Sequence, residues 1–280
     1  MKALVNKIIP FSSVDGPGNR TAIFLQGCNF DCLYCHNPET RNLCENCGVC
    51  VKHCPAGALT CEDGIVRYDW QKCCGCDTCI KVCSKGASPK IREMSAQEVF
   101  WEVKKQIPYI RGITVSGGEC TNYKEFLEEL FSICRAHGLS TFIDSNGGLL
   151  DFEKEHNLLS VTDGVMLDVK AFSDDEHRKV TGCGNELVLK NAVILAKMGK
   201  LYEVRTVVVP ELFDVHDTVK KTAELLLPYQ KYGDIRYKLI AFRPNGVRRE
   251  YAHFSVPERM YLEELESIVK SVGFHNIILL

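Results

Sequence analysis

Cys28-Asn-Phe-Asp-Cys32-Leu-Tyr-Cys35 places three thiols on one short loop, spaced Cys-x3-Cys-x2-Cys. Three thiolates can hold three irons of a four-iron cube and leave the fourth iron open. An enzyme needs that arrangement if its cluster must touch the molecule it reduces. On spacing alone, the loop also suits a three-cysteine zinc site lacking a fourth ligand, or a cluster that only relays electrons.

Two further cysteine runs follow. Cys44-x2-Cys47-x2-Cys50-x3-Cys54-Pro55 has the spacing of a bacterial ferredoxin run, and Cys73-x2-Cys76-x2-Cys79-x3-Cys83 repeats it, with Ser84 where Pro usually stands. In such pairs the fourth cysteine of each run crosses to the other cluster. Cys44, Cys47, Cys50 and Cys83 are therefore assigned to one [4Fe-4S] cluster, and Cys73, Cys76, Cys79 and Cys54 to a second. Cys61 and Cys74 fall outside the spacing and are read as non-ligands. The segment names no reaction: it could relay electrons, stabilise the fold or offer a docking surface.

Sixteen cysteines occur in 280 residues, ten of them from Cys44 to Cys83. The alternative to metal ligation is a disulfide framework in a secreted chain. Met1–Phe11 has neither a signal-peptide apolar core nor a small-residue cleavage site, so a cytoplasmic, reduced protein is expected. A formal charge of -2 gives no basic excess, so no nucleic-acid partner is expected. No long apolar run calls for a membrane.

The elements that must position these residues alternate regularly after residue 92. Strands are expected at Val5–Phe11, Thr21–Gln26, Ile113–Ser116, Thr141–Asp144, Val165–Val169, Tyr202–Val209, Arg236–Ala241 and Ile277–Leu280. Helices are expected from the capping box Ser95-Ala96-Gln97-Glu98 to about Gln106, and over Tyr123–Ala136, Phe152–Asn157, Asn185–Met198, Val215–Leu227 and Pro257–Val272. Apolar strands alternating with helices imply a helix-covered parallel sheet. About six βα units point to an α/β fold, a partial (β/α)6 TIM-like barrel with an inserted two-[4Fe-4S] ferredoxin-like domain. An open doubly wound sheet is the alternative. The domain reading is 1–38 plus 93–280 for the barrel and 39–92 for the insert.

At the expected strand ends stand Ser116-Gly117-Gly118-Glu119, Asp144-Ser145-Asn146-Gly147, Met166-Leu167-Asp168-Val169-Lys170 and Arg205-Thr206-Val207. Glycines let backbone approach a ligand, and the Glu119 carboxylate can accept from an ammonium. Each group alone could be an ordinary polar strand end. Together they mark one mouth, where α/β enzymes place their sites. His36 is read as a hydrogen-bonding neighbour of the loop, Asp174-Asp175-Glu176 as a solvated helix start, Arg248-Arg249-Glu250 as surface, and Trp70 and Trp101 as packing residues.

The cysteine loop, with Tyr34 before its last thiol, resembles the radical S-adenosylmethionine superfamily. There the amino and carboxylate groups of S-adenosylmethionine chelate the open iron. Reductive cleavage then gives methionine and a 5′-deoxyadenosyl radical. Over nearly its whole length the chain resembles the activating enzymes of glycyl radical enzymes. The carriers are Asp15-Gly16-Pro17-Gly18-x-Arg20, Cys35-His36-Asn37, and the strand-end groups above. The ferredoxin insertion resembles the larger members, including the YjjW-type branch.

That resemblance implies an activase that takes hydrogen from a glycine of a partner glycyl radical enzyme. It implies three [4Fe-4S] clusters, S-adenosylmethionine as cosubstrate, and a flavodoxin or ferredoxin reductant. The catalytic cluster would sit on Cys28, Cys32 and Cys35. Tyr34, Gly117, Gly118, Glu119, Asp144, Ser145, Asp168, Lys170, Arg205 and Val207 would bind the cofactor. Asp168 and Lys170 would hold its amino and carboxylate ends, and Arg205 and Val207 its ribose and adenine side. Asp144, Ser145, Met166 and Asp168 match positions that can hold a monovalent cation. Asp15, Gly16, Pro17 and Gly18 would meet the partner. This chain departs from the family where Cys120 stands for the usual Pro, Ser145 for the usual Thr, and Phe242-Arg243 for a late Tyr-His pair.

Overall fold

A computed structural model describes residues 1–280. Its strands are β1 Lys2–Ser12, β2 Arg20–Leu25, β3 Leu59–Glu62, β4 Ile65–Tyr68, β5 Arg92–Ser95, β6 Gly112–Gly117, β7 Ser140–Ser145, β8 Gly164–Asp168, β9 Leu201–Val208, β10 Arg236–Ala241 and β11 Ile277–Leu279. Its α-helices are α1 Thr78–Lys81, α2 Ala96–Lys104, α3 Lys124–Ala136, α4 His156–Ser160, α5 Asp174–Thr181, α6 Glu186–Lys197, α7 Val215–Leu226 and α8 Arg259–Val272.

Nine strands form one sheet, ordered β11-β10-β9-β8-β7-β6-β2-β1-β5. From β2 to β11 every pairing is parallel. A doubly wound sheet must reverse its strand order at a switch point. Here each crossover adds the next strand on the same side. Right-handed crossovers then put all the helices on one face, and the twisted sheet curls around the other. The arrangement is that of a partial barrel with six helical crossovers, and it removes the doubly wound alternative.

The two faces differ in chemistry. Ile113, Val115, Ile143, Val165, Leu167, Val204, Tyr237 and Leu239 pack under the helices, where α3 contributes Phe126, Leu127, Leu130, Phe131 and Cys134. The alternate positions, Thr114, Ser116, Asp144, Met166, Asp168, Glu203, Arg205 and Lys238, share the inner face, a polar lumen.

Residues 39–92 supply none of the 54 buried residues of this core. Within this stretch the β3–β4 hairpin stands outside the nine-stranded sheet, and Cys50, Leu59 and Cys79 form a small apolar cluster of their own. A three-residue cluster contributes little stability by itself.

The expected capping box opens α2: Ser95 Oγ accepts from Glu98 N, and the Glu98 carboxylate accepts from Ser95 N. Other expectations change. The stretch at Phe152–Asn157 is a 3-10 turn, Phe152–Lys154, before α4. Strand β5, antiparallel to β1, was not expected. Trp70 and Trp101 are 58% and 57% exposed, so neither packs as expected. Trp101 lies off the buried stripe of α2, and Trp70 follows β4, whose hairpin stands outside the nine-stranded sheet.

Candidate active site

The cysteine loop leaves the end of β2 under tight main-chain control. Gly27 N donates to Thr40 O and Cys28 N to Arg41 O, at 2.7 and 3.0 Å. Buried Gln26 ties the same stretch down by donating to Glu39 O and Asn42 O. On the other side, Asp31 N and Leu33 N donate to Thr181 O and Val180 O at the end of α5. Arg248 donates to Cys32 O at 3.1 Å and pairs with Asp31 at 2.7 Å. It is therefore a strut of the loop, against the expectation of a surface residue. Asn146 Nδ2 lies 3.6 Å from Cys28 Sγ and Phe30 N lies 3.4 Å from it.

His36 behaves as expected, as a hydrogen-bonding neighbour. Its Nε2 lies 2.9 Å from Arg243 O, and burial lowers its pKa, so the ring is neutral at pH 7. The Phe242-Arg243 segment thus meets the loop through main chain, with the Phe242 and His36 rings 6.2 Å apart.

Gly117 and Gly118 answer a backbone requirement. Gly117 has φ +122°, and a Cβ on Gly118 would lie 2.2 Å from Gly27 O. The two strand ends touch here: Gly118 N donates to Leu25 O and Glu119 N to Gly27 O. Gly118→Ala is expected to lower stability by about 3 kcal/mol, the upper range for overpacking, because the clash is with backbone. A chemical-denaturation midpoint unchanged from wild type would contradict this.

Glu119 departs from its expected role. Fully buried, it accepts from Thr121 N, Thr121 Oγ1, Ser145 Oγ and Asn146 N at 2.7–3.1 Å. Its carboxylate is a clamp between the β6 and β7 ends, with Oε1 taking three donors and Oε2 one. Ser145, which also accepts from Gly147 N, is likewise engaged. Cys120 is buried beside Asp144 O, and burial pushes its thiol well up, so it is an inert packing residue.

Asp168 and Lys170 pair at 2.7 Å, with the Lys170 side chain only 13% exposed. Burial opposes the Lys170 charge, but Asp168, Cys32 and Tyr34 outweigh it and keep the ammonium charged. The Tyr34 ring lies 5.8 Å from Lys170 Nζ, and its buried hydroxyl has no partner. Arg205 reaches across the lumen to Asp144 at 2.9 Å, and Val207 stands beyond it, 8% exposed. Burial first, then Asp168 and Asp15, push the Asp144 pKa up, against Arg205 and Ser116.

The expected partner loop, Asp15–Gly18, precedes β2, whereas the cysteine loop follows it, so the two enter from opposite ends of that strand. Asp15 still lies close enough to Asp144 to act on its pKa. Arg20, wholly buried, holds that loop by donating to Pro17 O while also binding Thr114, Ser140 and Ile113 and stacking on Phe142. Thr114 donates to Asp15 O.

In the 39–92 segment, Cys54, Cys73, Cys76 and Cys79 line one cavity, with Tyr68 and Lys90. Exposed Cys74 lies on the same wall. Cys44, Cys79 and Cys47 all lie close enough to Cys50 to add to the upward push of burial on its thiol, so the two cysteine runs meet at Cys50 and Cys79.

Residues 22–226 match the family described as the Radical SAM superfamily. The chain belongs to the radical S-adenosylmethionine superfamily. It is 31% identical to the pyruvate formate-lyase-activating enzyme of Streptococcus mutans, over 84% of this chain and 80% of that one. It is 30% identical to the choline trimethylamine-lyase activating enzyme of Oleidesulfovibrio alaskensis, over 88% and 85%. A crystal structure of a domain of pyruvate-formate lyase-activating enzyme from Bacteroides vulgatus shares its fold, with TM-score 0.51 and 20% identity, over 60% of this chain and 98% of that one. No helix is long and apolar enough to cross a membrane.

Proposed function

We propose that this chain is a glycyl-radical-enzyme activase, which cleaves S-adenosylmethionine reductively and takes a hydrogen atom from a glycine of a partner enzyme. The observation that carries the reading is the meeting, at one end of the sheet, of the Cys28–Cys35 loop with Tyr34 and the Asp168–Lys170 pair. The relatives' names add the activase class.

The loop fits a cluster. Burial pushes the Cys28 and Cys32 thiols up to about 12, and Cys35 up as well, so none stands as a bare thiolate at neutral pH. Cys28, Cys32 and Cys35 lie close enough together for each of the other two sulfurs to add to the rise in the Cys32 pKa. The unpartnered Tyr34 hydroxyl and the charged Lys170 beside Cys32 complete a polar wall. A bound [4Fe-4S] cluster would supply the low-potential electron and an open iron.

The chain's own residues would do the rest. Lys170 is placed to pair with the carboxylate of S-adenosylmethionine, and Asp168 with its ammonium. The Gly118 carbonyl, next to NH groups already committed, is a second acceptor for that ammonium. Val207 would give the adenine an apolar wall. Asn146 and Phe30 N, aimed at Cys28, would steady its charge. A partner glycine segment touching both Asp15–Gly18 and this mouth would run along the lumen. The 39–92 segment would hold two more clusters, one in the Cys54–Cys73–Cys76–Cys79 cavity, and receive electrons from a flavodoxin or ferredoxin.

The test is anaerobic: load iron and sulfide, reduce with dithionite, add S-adenosylmethionine, and quantify 5′-deoxyadenosine and methionine. Equal amounts of both, and a glycyl radical signal on an added partner enzyme, are expected. A loaded, reduced protein that forms neither product would overturn the reading.

A further inference from the structure

The lumen carries a buried ion network that the proposed reaction does not by itself require. Glu203 is 0% exposed. One of its oxygens takes the Arg205 Nε and, at 3.1 Å, Lys238 Nζ. Arg236 Nε lies 2.5 Å from the other, in an ion contact that is not a directed hydrogen bond. Burial would raise the Glu203 pKa, but Arg205, Lys238 and Arg236 outweigh it and hold the carboxylate charged. With its Nε edge fixed, Arg205 has two nitrogens left. One donates to Asp144 Oδ1 at 2.9 Å and the other lies 2.8 Å from Met166 Sδ.

This is the place where Asp144, Ser145, Met166 and Asp168 would be expected to hold a monovalent cation. Three of the four are engaged with the chain itself. Asp144 gives one oxygen to Arg205 and the other to Ser116, at 3.0 Å. Ser145 Oγ donates to Glu119 and accepts from Gly147 N. The Met166 sulfur faces the guanidinium. A metal cation here would be a like charge beside Arg205 in a poorly solvated space, which is repulsive. These residues do not fit a monovalent cation.

We propose that Arg205 supplies the positive charge at this place, so that S-adenosylmethionine binds this chain without a monovalent cation. Glu203 is the positioning residue, because it fixes the guanidinium edge that turns Arg205 toward Asp144 and Met166. Lys238 and Arg236 keep Glu203 ionised. The inference rests on the proposed binding of S-adenosylmethionine in this lumen.

The experiment uses the cluster-loaded protein at fixed ionic strength, with potassium, sodium or tetramethylammonium as the only monovalent cation. Affinity for S-adenosylmethionine is measured by equilibrium dialysis, alongside the change it causes in the cluster's electron paramagnetic resonance signal. Wild type should bind equally, within about twofold, in all three buffers. A required cation would show as a coupling of about tenfold or more. Such weakening in tetramethylammonium, reversed by potassium, overturns the proposal. Arg205→Gln should bind more weakly and regain part of its affinity with potassium alone. Glu203→Gln should acquire the same potassium dependence, which loss of folding would not produce. An Arg205→Gln protein matching wild type in every buffer also overturns it. No binding by loaded wild type in any buffer instead removes the reading of the lumen on which the inference rests.

Discussion

Cys32→Ala is expected to abolish S-adenosylmethionine cleavage, with 5′-deoxyadenosine falling by at least about a thousandfold, on the scale of losing a group on which the chemistry depends. The reason is local. Cys32 sits at the centre of the loop, between the Asp31 N and Leu33 N bonds to α5, with its carbonyl held by Arg248. Those restraints act on main chain and survive the substitution, so the loop should keep its path. The sulfur is what is lost, leaving two thiolates for a cube that needs three. Lys170 would remain paired with Asp168, the carboxylate that holds its charge. The variant should therefore fold, with a circular dichroism spectrum like wild type, and still load the 39–92 segment. Normal product yield from this variant would end the assignment of Cys28, Cys32 and Cys35 as the catalytic cluster's ligands.

The barrel was readable in the sequence because its signals are local and periodic. The α3 stripe and the Ser95 capping box each state an element within a few residues, and both stand as expected. Strand β5 was not readable, because four residues at the exit of a turn-rich segment have no period to detect, and pairing with β1 decides their state. The site was readable as types and spacings but not as directions. Gly117-Gly118-Glu119 announces a strand end, yet only the fold shows that the glycines let β6 meet the cysteine loop and that Glu119 turns inward. Arg248 carries no local signal either: its contact is with a residue more than 200 positions away. Asp15–Gly18 was readable as a tight turn, but which end of β2 it occupies relative to the cysteine loop follows from strand direction.

Cys76→Ala is expected to remove one cluster and leave the other two. Iron per chain should fall from about twelve to about eight, as for one four-iron cluster of three. Cys76 is exposed, so the substitution itself costs the fold little packing. What it removes is one wall of the cavity shared with Cys54, Cys73 and Cys79. The segment's own apolar cluster has only three members, so a lost cluster should also loosen it, and residues 39–92 should become more susceptible to protease than 93–280. S-adenosylmethionine cleavage driven by dithionite should persist, because the Cys28 loop is tied to residues 39–42 and α5 by its own main-chain bonds. Cys74 offers the one local substitute, since it lies on the same wall. A Cys74→Ala/Cys76→Ala protein separates the cases: iron near eight in both variants keeps Cys74 a bystander, whereas iron near twelve in the single variant and eight in the double makes Cys74 a replacement ligand. Iron near twelve in both would show that neither thiol holds metal, and the crossing pattern of the two cysteine runs would have to be redrawn.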